Sequence, residues 1–337
     1  GNVGGASTEL WHVLRMLVEY GFSVTVTPAW GISQDAYNKL STIGVNVEPY
    51  TNKQDFEKQC RWKDDVVVAY CNNEFVSLAG FLRSRGCRLV FANCMCWLFS
   101  AEESYYQSSG KTFDAYLFQS NYQFRSLFPS LNRYGVTEDK CYLVRSPIYV
   151  DEFPFVKRKL SRGNRFYVAK VARADLHKWP KNLFEVLKSV RGKTVVPVLL
   201  GFNDKIKAHC GEPPSGSLVF GPGEVPVQDV LAIAQAMYCF NGGARENWPR
   251  IGLESMAAGC PVVAPRAWGW VEMIQDRKTG FLCDDEDEAI ASLTALACDS
   301  RVYSDTVDNA RDWIMSSDLT NREKIIEVWW RMMKNLC

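Results

Sequence analysis

Short apolar runs that alternate with helical patterns are the feature of this chain that most restricts its fold. Several of these runs are apolar without alternation, as expected for parallel strands covered on both faces. Between them, apolar residues recur every three or four positions, as from Leu10 to Val18, which indicates amphipathic helices. This order predicts a doubly wound α/β fold. The strand candidates are residues 23–27, 66–69, 88–92, 115–118, 166–169, 195–200, 218–220, 237–240 and 261–264.

Length and composition narrow the class of protein. A chain of 337 residues is long for one core and suits two domains. Its formal net charge of +1 predicts no nucleic-acid partner. The twelve cysteines are scattered and only three histidines occur, so we expect reduced packing cysteines, no metal site and a cytoplasmic protein. The chain begins at Gly1 without Met, and we expect a first strand to be missing before it.

Two carboxylates flank the predicted start of a helix. Seven residues separate Glu246 from Glu254, and Pro249 between them suits a first helical position. Gly259 is expected to end the helix in a left-handed conformation, and Pro261 prevents its continuation. Glu246 then lies in the loop before the helix, and Glu254 about one turn inside it. Because the amides of a helix N-terminus favour an anion, a sugar nucleotide fits this layout.

This segment resembles a known signature. Glu-x7-Glu followed by Ser-Met-Ala-Ala-Gly-Cys-Pro-Val-Val is similar to the donor site of retaining GT-B glycosyltransferases, in particular family 4, the glycosyl transferases group 1. The resemblance implies two Rossmann-like doubly wound domains that face a central cleft. Residues 1–152 would form the acceptor-side domain and residues 153–318 the nucleotide-sugar donor domain. Residues 319–337 would form a helix that packs back on the first domain, with a membrane-surface helix as the alternative.

A basic segment after the strand at 166–169 resembles the family's phosphate-binding pair. Fixed cations lower the barrier as a diphosphate leaves, and Arg173 and Lys178 match that pair. Lys181 is the alternative to Lys178. Across the expected cleft, the resemblance implies that Gly4 and Gly5 approach the donor phosphates closely.

The resemblance also implies roles for the helix and its preceding loop. Glu254 would accept hydrogen bonds from the ribose hydroxyls, and Glu246 would bind hydroxyls of the transferred sugar. Gly252 and Leu253 would lie against the donor in the first turn. The predicted catalytic residues are Glu246, Arg173 and Lys178.

The acceptor side departs from the family pattern. Many relatives have a histidine after the strand at 88–92, where this chain has Asn93, which would supply a neutral hydrogen bond instead. Asn247-Trp248-Pro249 stands where the family has a Gly-Phe-Gly-like stretch, and Trp248 either stacks on a sugar or packs in the core. Trp268 and Glu272 fall in a loop that resembles one closing under the donor, and we place them on the acceptor or sugar side. Packing of Trp268 in the core is the alternative.

The predicted function is retaining transfer of a hexose from a nucleoside diphosphate sugar, UDP- or GDP-linked, to a hydroxyl acceptor. We expect no cofactor and no metal. A glycan, lipid-linked or small-molecule acceptor fits equally, and no pattern supports peripheral membrane contact. One alternative is a non-catalytic GT-B module that binds a sugar nucleotide or a glycan. A weaker one is a dinucleotide-dependent oxidoreductase, which needs an acidic residue after the strand at 23–27, where Pro28 begins Pro-Ala-Trp.

Overall fold

The computed structural model describes residues 5–158, 160 and 163–337, and the chain divides into two compact units. Unit 1 comprises Gly1–Pro147 together with Thr320–Cys337, and unit 2 comprises Ile148–Leu319. The division after Pro147 lies a few residues before the predicted boundary at 152.

Unit 1 contains a parallel four-stranded sheet in the order β3-β4-β5-β6 and a separate parallel pair, β1-β2. Its elements up to the division are α1 (Gly5–Glu19), β1 (Thr25–Val26), α2 (Gln34–Thr42), β2 (Asn46–Val47), α3 (Lys53–Gln59), β3 (Val66–Tyr70), α4 (Asn73–Ser84), β4 (Arg88–Ala92), α5 (Ser100–Ser109), β5 (Ala115–Phe118), α6 (Asn121–Asn132), a 3₁₀ helix (Glu138–Lys140) and β6 (Cys141–Leu143).

Alternate residues of β4 face opposite sides of this sheet. Leu89 and Phe91 pack in a cluster with residues of α4, whereas Val90 and Ala92 pack in a cluster with residues of α1. All four are buried. The strand is therefore covered on both faces, which explains why it is apolar without alternation.

Unit 2 contains a parallel six-stranded sheet in the order β9-β8-β7-β10-β11-β12. This is the strand order of a Rossmann fold, in which the chain reverses direction across the sheet between β7 and β10. Its elements are a 3₁₀ helix (Val150–Glu152), β7 (Arg165–Val171), a 3₁₀ helix (Leu176–Lys178), α7 (Leu183–Lys188), β8 (Thr194–Leu200), α8 (Asp204–Cys210), β9 (Leu218–Phe220), α9 (Val227–Ile233), β10 (Ala236–Tyr238), α10 (Arg250–Ala257), β11 (Val262–Pro265), α11 (Trp270–Met273), β12 (Phe281–Cys283), α12 (Glu286–Cys298) and α13 (Ser300–Ser316).

The predicted fold class, α/β with two Rossmann-like units, is confirmed. Each of the nine strand candidates overlaps an observed strand, but β2, β6 and β12 were not predicted. These strands have two or three residues each, too few to show a hydrophobic period. Pairing with a neighbouring strand defines them.

The chain ends in α14 (Arg322–Leu336), which belongs to unit 1. The Asn321 side chain accepts a hydrogen bond from the Lys324 amide and caps the helix. The face that contains Trp329 and Met332 is buried in the same cluster as Val90. None of the described helices is long and apolar enough to cross a membrane.

Two adjacent tryptophans of α14 give a matched test of this packing. Trp329 is 1% exposed and Trp330 is 50% exposed. We expect Trp329→Ala to lower the free energy of unfolding by about 3–5 kcal/mol, because it leaves a cavity in the core. Trp330→Ala should cost about 1 kcal/mol or less, since it removes mainly the ring contact with Phe22. Urea unfolding of both variants measures the difference, and equal losses would contradict the assigned packing.

Candidate functional site

The loops that follow β7 and β10 meet at the point where the strand order reverses. Ligands of open α/β sheets bind at the carboxyl ends of the strands at this point. A Cβ atom on Gly242 would lie 2.4 Å from the Trp179 carbonyl oxygen, so only glycine permits this approach. The Ala244 amide donates to the His177 carbonyl at 3.0 Å, and the buried Trp179 indole donates to the Arg173 carbonyl at 2.9 Å. The backbones of both loops are thus held together.

An ion pair joins the two loops beside this backbone contact. Lys178 Nζ lies 2.5 Å from Glu246 Oε1, and their side chains are 20% and 19% exposed. Asn241 Nδ2 donates to the same carboxylate oxygen at 3.0 Å. The structure therefore brings together two of the three predicted catalytic side chains and leaves both partly accessible.

A buried lysine fixes the orientation of Asn241. Lys170, on β7, is 2% exposed, and its Nζ donates to the Phe240 carbonyl at 2.6 Å and to Asn241 Oδ1 at 3.2 Å. Because the amide oxygen is engaged by Lys170, the Asn241 nitrogen faces Glu246. The sequence contained a signal for Lys170 that the sequence analysis did not use, a lysine within an otherwise apolar strand.

Burial makes this lysine weakly basic. Removal from water lowers the pKa of Lys170 to about 8, although the negative charge of Glu246 opposes the shift. The positive charge of Lys178 adds to the lowering. The Lys170 ammonium is therefore retained at neutral pH at a cost in folding free energy.

Arg173 lies in the same loop as Lys178, but its side chain is exposed. Its guanidinium forms no hydrogen bond or ion pair with any residue that the structure describes. Lys181, the alternative phosphate ligand, is also exposed, and no described contact joins it to Glu246. Of the two lysines, the geometry favours Lys178 as the phosphate ligand.

Helix α10 begins at Arg250 with Pro249 at its N-cap, one residue later than predicted. Gly259 has a φ of 77°, and the Cys260 amide donates to the Ser255 carbonyl at 2.8 Å, so the predicted left-handed end is confirmed. Glu254 lies one turn inside the helix, as predicted.

Glu254 lies beside a cation that sequence analysis missed. Arg250 Nε is 3.4 Å from Glu254 Oε1, and the two side chains are 5% and 9% exposed. The spacing of four residues places both on one face of α10. The guanidinium compensates for the burial of the carboxylate, which no contact joins to Glu246.

Gly252 and Leu253 serve the packing of α10. A Cβ atom on Gly252 would lie 2.6 Å from both Met273 Sδ and the Trp270 ring, so the missing side chain makes room for α11. Leu253 is fully buried, and its side chain belongs to the core of unit 2. For both residues, only the backbone remains for contact with a ligand.

Two acceptor-side candidates lie near the backbone of Glu246. The Gly269 amide donates to the Glu246 carbonyl at 2.9 Å, and Trp268 beside it has a φ of 57°, a rare conformation for a bulky residue. Trp248 is 3% exposed within the core of unit 2, which favours packing over sugar stacking. Glu272 lies half-buried on α11.

The remaining candidates lie in unit 1. Asn93 is buried, donates to Glu102 Oε2 at 2.6 Å and accepts from the Met95 amide at 2.9 Å. Burial raises the pKa of Glu102 to about 7. Asn93 is thus part of an internal network in this structure. Gly4 lies outside the described residues, and Gly5 is the first residue of α1.

The comparison with sequence families decides the class of this protein. Residues 152–313 match the family of glycosyl transferases group 1. This segment lies within unit 2 (Ile148–Leu319). No curated protein sequence matches this chain. The glycosyltransferase predicted from the donor-site signature is confirmed, whereas family 4 membership and retention of configuration stay predictions.

Solved structures match this chain over all or nearly all of its length. Anabaena Alr3699/HepE, solved in complex with UDP-glucose, is 16% identical, with a TM-score of 0.75 over 100% of this chain and 96% of that chain. A sucrose-phosphate synthase from Thermosynechococcus elongatus is 13% identical, with a TM-score of 0.71 over 100% and 96%. WaaG, a glycosyltransferase involved in lipopolysaccharide biosynthesis, is 15% identical, with a TM-score of 0.66 over 97% and 96%. At these identities the likeness concerns the GT-B fold.

The buried lysine gives a pH-dependent prediction. The pKa of Lys170 is about 8 in the folded chain and near 10.5 when unfolded, so the unfolded chain holds more protons between these values. The unfolding free energy of wild type, minus that of Lys170→Met, should therefore rise by about 3 kcal/mol between pH 8 and pH 10.5.

Urea unfolding across this pH range measures that difference. Lys181→Met, which removes an exposed lysine from the loop after β7, is the matched control and should follow the wild-type pH profile. Parallel profiles for wild type and Lys170→Met would show that Lys170 has an ordinary pKa in the folded chain.

Proposed function

We propose that this enzyme transfers a hexose from a UDP- or GDP-sugar to a hydroxyl group of a glycan, lipid-linked or small-molecule acceptor, with retention of anomeric configuration. The observation that carries the proposal is the Lys178–Glu246 pair at the reversal of the strand order, with Arg173 exposed in the same loop. This arrangement offers two cations to a diphosphate and a carboxylate to the hydroxyls of a sugar.

Donor binding would rearrange the ion pair. In the structure, Glu246 Oε1 lies 2.5 Å from Lys178 Nζ and neutralises its charge. A diphosphate competes for the Lys178 ammonium and also attracts the Arg173 guanidinium. Glu246 then becomes available to accept hydrogen bonds from hydroxyls of the transferred sugar, while Asn241 continues to orient its carboxylate.

Helix α10 would bind the nucleoside part of the donor. The carboxylate of Glu254 has two oxygens, and its Oε1 lies 3.4 Å from Arg250 Nε. A vicinal diol such as ribose matches the bidentate acceptor geometry of a carboxylate. The amides of the first turn, at Gly252 and Leu253, supply the positive end of the helix dipole.

The reaction breaks the bond between the anomeric carbon and the phosphate oxygen, and the electron pair leaves with the nucleoside diphosphate. The acceptor oxygen forms the new bond to that carbon from the same face, and its proton passes to the departing phosphate. Arg173 and Lys178 stabilise the negative charge that develops on the diphosphate. Because these cations supply the positive charge, we propose that the reaction needs neither a metal ion nor a cofactor.

UDP-glucose is the first donor to test, because the HepE structure contains it. We expect UDP-glucose or another UDP- or GDP-sugar to raise the melting temperature with EDTA present, and NAD to have no effect. Slow release of the nucleoside diphosphate, with water as the acceptor, measures the chemistry without knowledge of the natural acceptor.

Variants of the two loops test the assigned roles. Arg173→Ala and Lys178→Ala should each lower the rate of nucleotide release about a hundredfold or more, because each removes a donor to the leaving group. Glu254→Gln should weaken donor binding about tenfold or more, since it removes the charge of one hydrogen-bond acceptor. Lys181→Ala is the matched control and should change neither value by more than about twofold.

Two results would overturn the proposal. Donor binding without nucleotide release or transfer to any hydroxyl acceptor would favour the non-catalytic module. Equal effects of Lys178→Ala and Lys181→Ala would remove the assigned role of the ion pair. The anomeric configuration of the product, determined by NMR, separately tests retention.

A further inference from the structure

Unit 1 contains a pocket at the carboxyl ends of β1 and β2. Its volume is about 550 Å³, within the usual range for small-molecule sites. The segment from Trp30 to Ile32, which follows β1, forms one side, and the segment from Pro49 to Thr51, which follows β2, forms the other. The carboxyl ends of parallel strands are where α/β folds place their ligand sites.

Three aromatic side chains line this pocket. Trp30 packs partly against the core of unit 1 and is half-buried, Tyr50 is 8% exposed, and Tyr37 is 37% exposed. Tyr50 is held in place, because its hydroxyl donates to Glu48 Oε2 at 3.0 Å and its ring meets Phe56 edge-on at 5.0 Å. A fixed ring and two partly exposed rings present flat apolar surface to a ligand.

The polar groups of the pocket are uncharged. The described residues that line it include no Asp, Glu, Lys, Arg or His. The Trp30 indole and the Tyr37 hydroxyl form no hydrogen bond with any other part of the described chain, so both remain available to a ligand. Gln34 donates to Asn38 Oδ1 at 2.8 Å and Thr51 donates to Asp55 Oδ2 at 3.1 Å, which leaves their oxygens as acceptors.

The backbone holds the indole in an uncommon conformation. Trp30 has a φ of 54° and Gly31 a φ of 130°. A bulky residue rarely adopts a positive φ, and such conformations concentrate at ligand sites. If this segment were only a β-turn or a surface loop, glycine or asparagine at position 30 would be more favourable, because both adopt a positive φ at lower cost.

From this combination, we propose that the pocket binds a pyranose ring of a neutral saccharide. The two faces of a pyranose ring expose C–H groups that pack on aromatic rings, whereas its rim carries hydroxyls that need both donors and acceptors. The pocket supplies both kinds of surface and no charge. The assignment of this saccharide to the acceptor rests on the proposed function, whereas the binding of a saccharide at the pocket does not.

Saturation-transfer NMR on the whole protein without donor tests the binding directly. The probes are the methyl glycosides of glucose, galactose, mannose and N-acetylglucosamine, with maltose, cellobiose and lactose. We expect at least one of them to receive saturation on its ring C–H protons. Trp30→Ala should weaken that binding about tenfold or more, because the main stacking surface is lost.

Matched variants exclude a general loss of structure. Trp330→Ala removes an exposed indole elsewhere in unit 1 and should leave saccharide binding unchanged. Tyr37→Phe keeps the ring but removes the hydroxyl, and should weaken binding less than Trp30→Ala does. The melting temperature of each variant shows whether it is folded, and Trp30→Phe serves if Trp30→Ala does not fold.

Three outcomes would overturn the proposal: no probe binds, binding is unaffected in Trp30→Ala or Trp30→Phe, or glucuronic acid and glucose 6-phosphate bind more tightly than their neutral counterparts. If a saccharide binds at this pocket but the protein transfers no sugar, the binding proposal is supported and the proposed function is refuted. If the protein transfers a sugar but no saccharide binds at this pocket, the proposed function is supported and the binding proposal is refuted.

Discussion

The contact between the loop after β7 and the loop after β10 is the constraint on which the donor site of unit 2 depends. The strand order makes these two strands neighbours although nearly seventy residues separate them in sequence. Gly242 allows the two backbones to meet, and Lys170 reaches from β7 to the Phe240 carbonyl and Asn241. The position of Glu246 relative to Lys178 follows from these contacts.

Lys170 shows how stability and site geometry are balanced here. A buried ammonium is unfavourable, and its pKa of about 8 expresses that cost. Two hydrogen bonds to the loop after β10 compensate for part of it. An apolar residue would be less costly to bury, but it would leave the Asn241 amide free to turn and Glu246 without a fixed donor.

The two units use the carboxyl ends of their strands differently. In unit 2 this edge is charged, with Lys178, Glu246 and Arg173, which suits a diphosphate. In unit 1 the pocket that follows β1 and β2 is aromatic and uncharged, with Trp30 and Tyr50 among its lining residues. The carboxyl ends of parallel strands thus present two kinds of chemistry, because the side chains that follow the strands differ between the two units.

The sequence by itself determined the fold class, the resemblance to group 1 glycosyltransferases and, to within one residue, the ends of helix α10. Apolar runs covered on both faces, the Glu-x7-Glu signature and the cap at Gly259 are local patterns, readable along the chain. Only the tertiary structure decided that Lys178 pairs with Glu246 and that Lys170 orients Asn241. It also decided that Gly252 makes room for α11 and that Trp248 is buried. The physical reason is distance along the chain. Lys178, Lys170 and Gly252 each contact a residue of a separate element, and the pairing and packing of the sheet determine which elements meet.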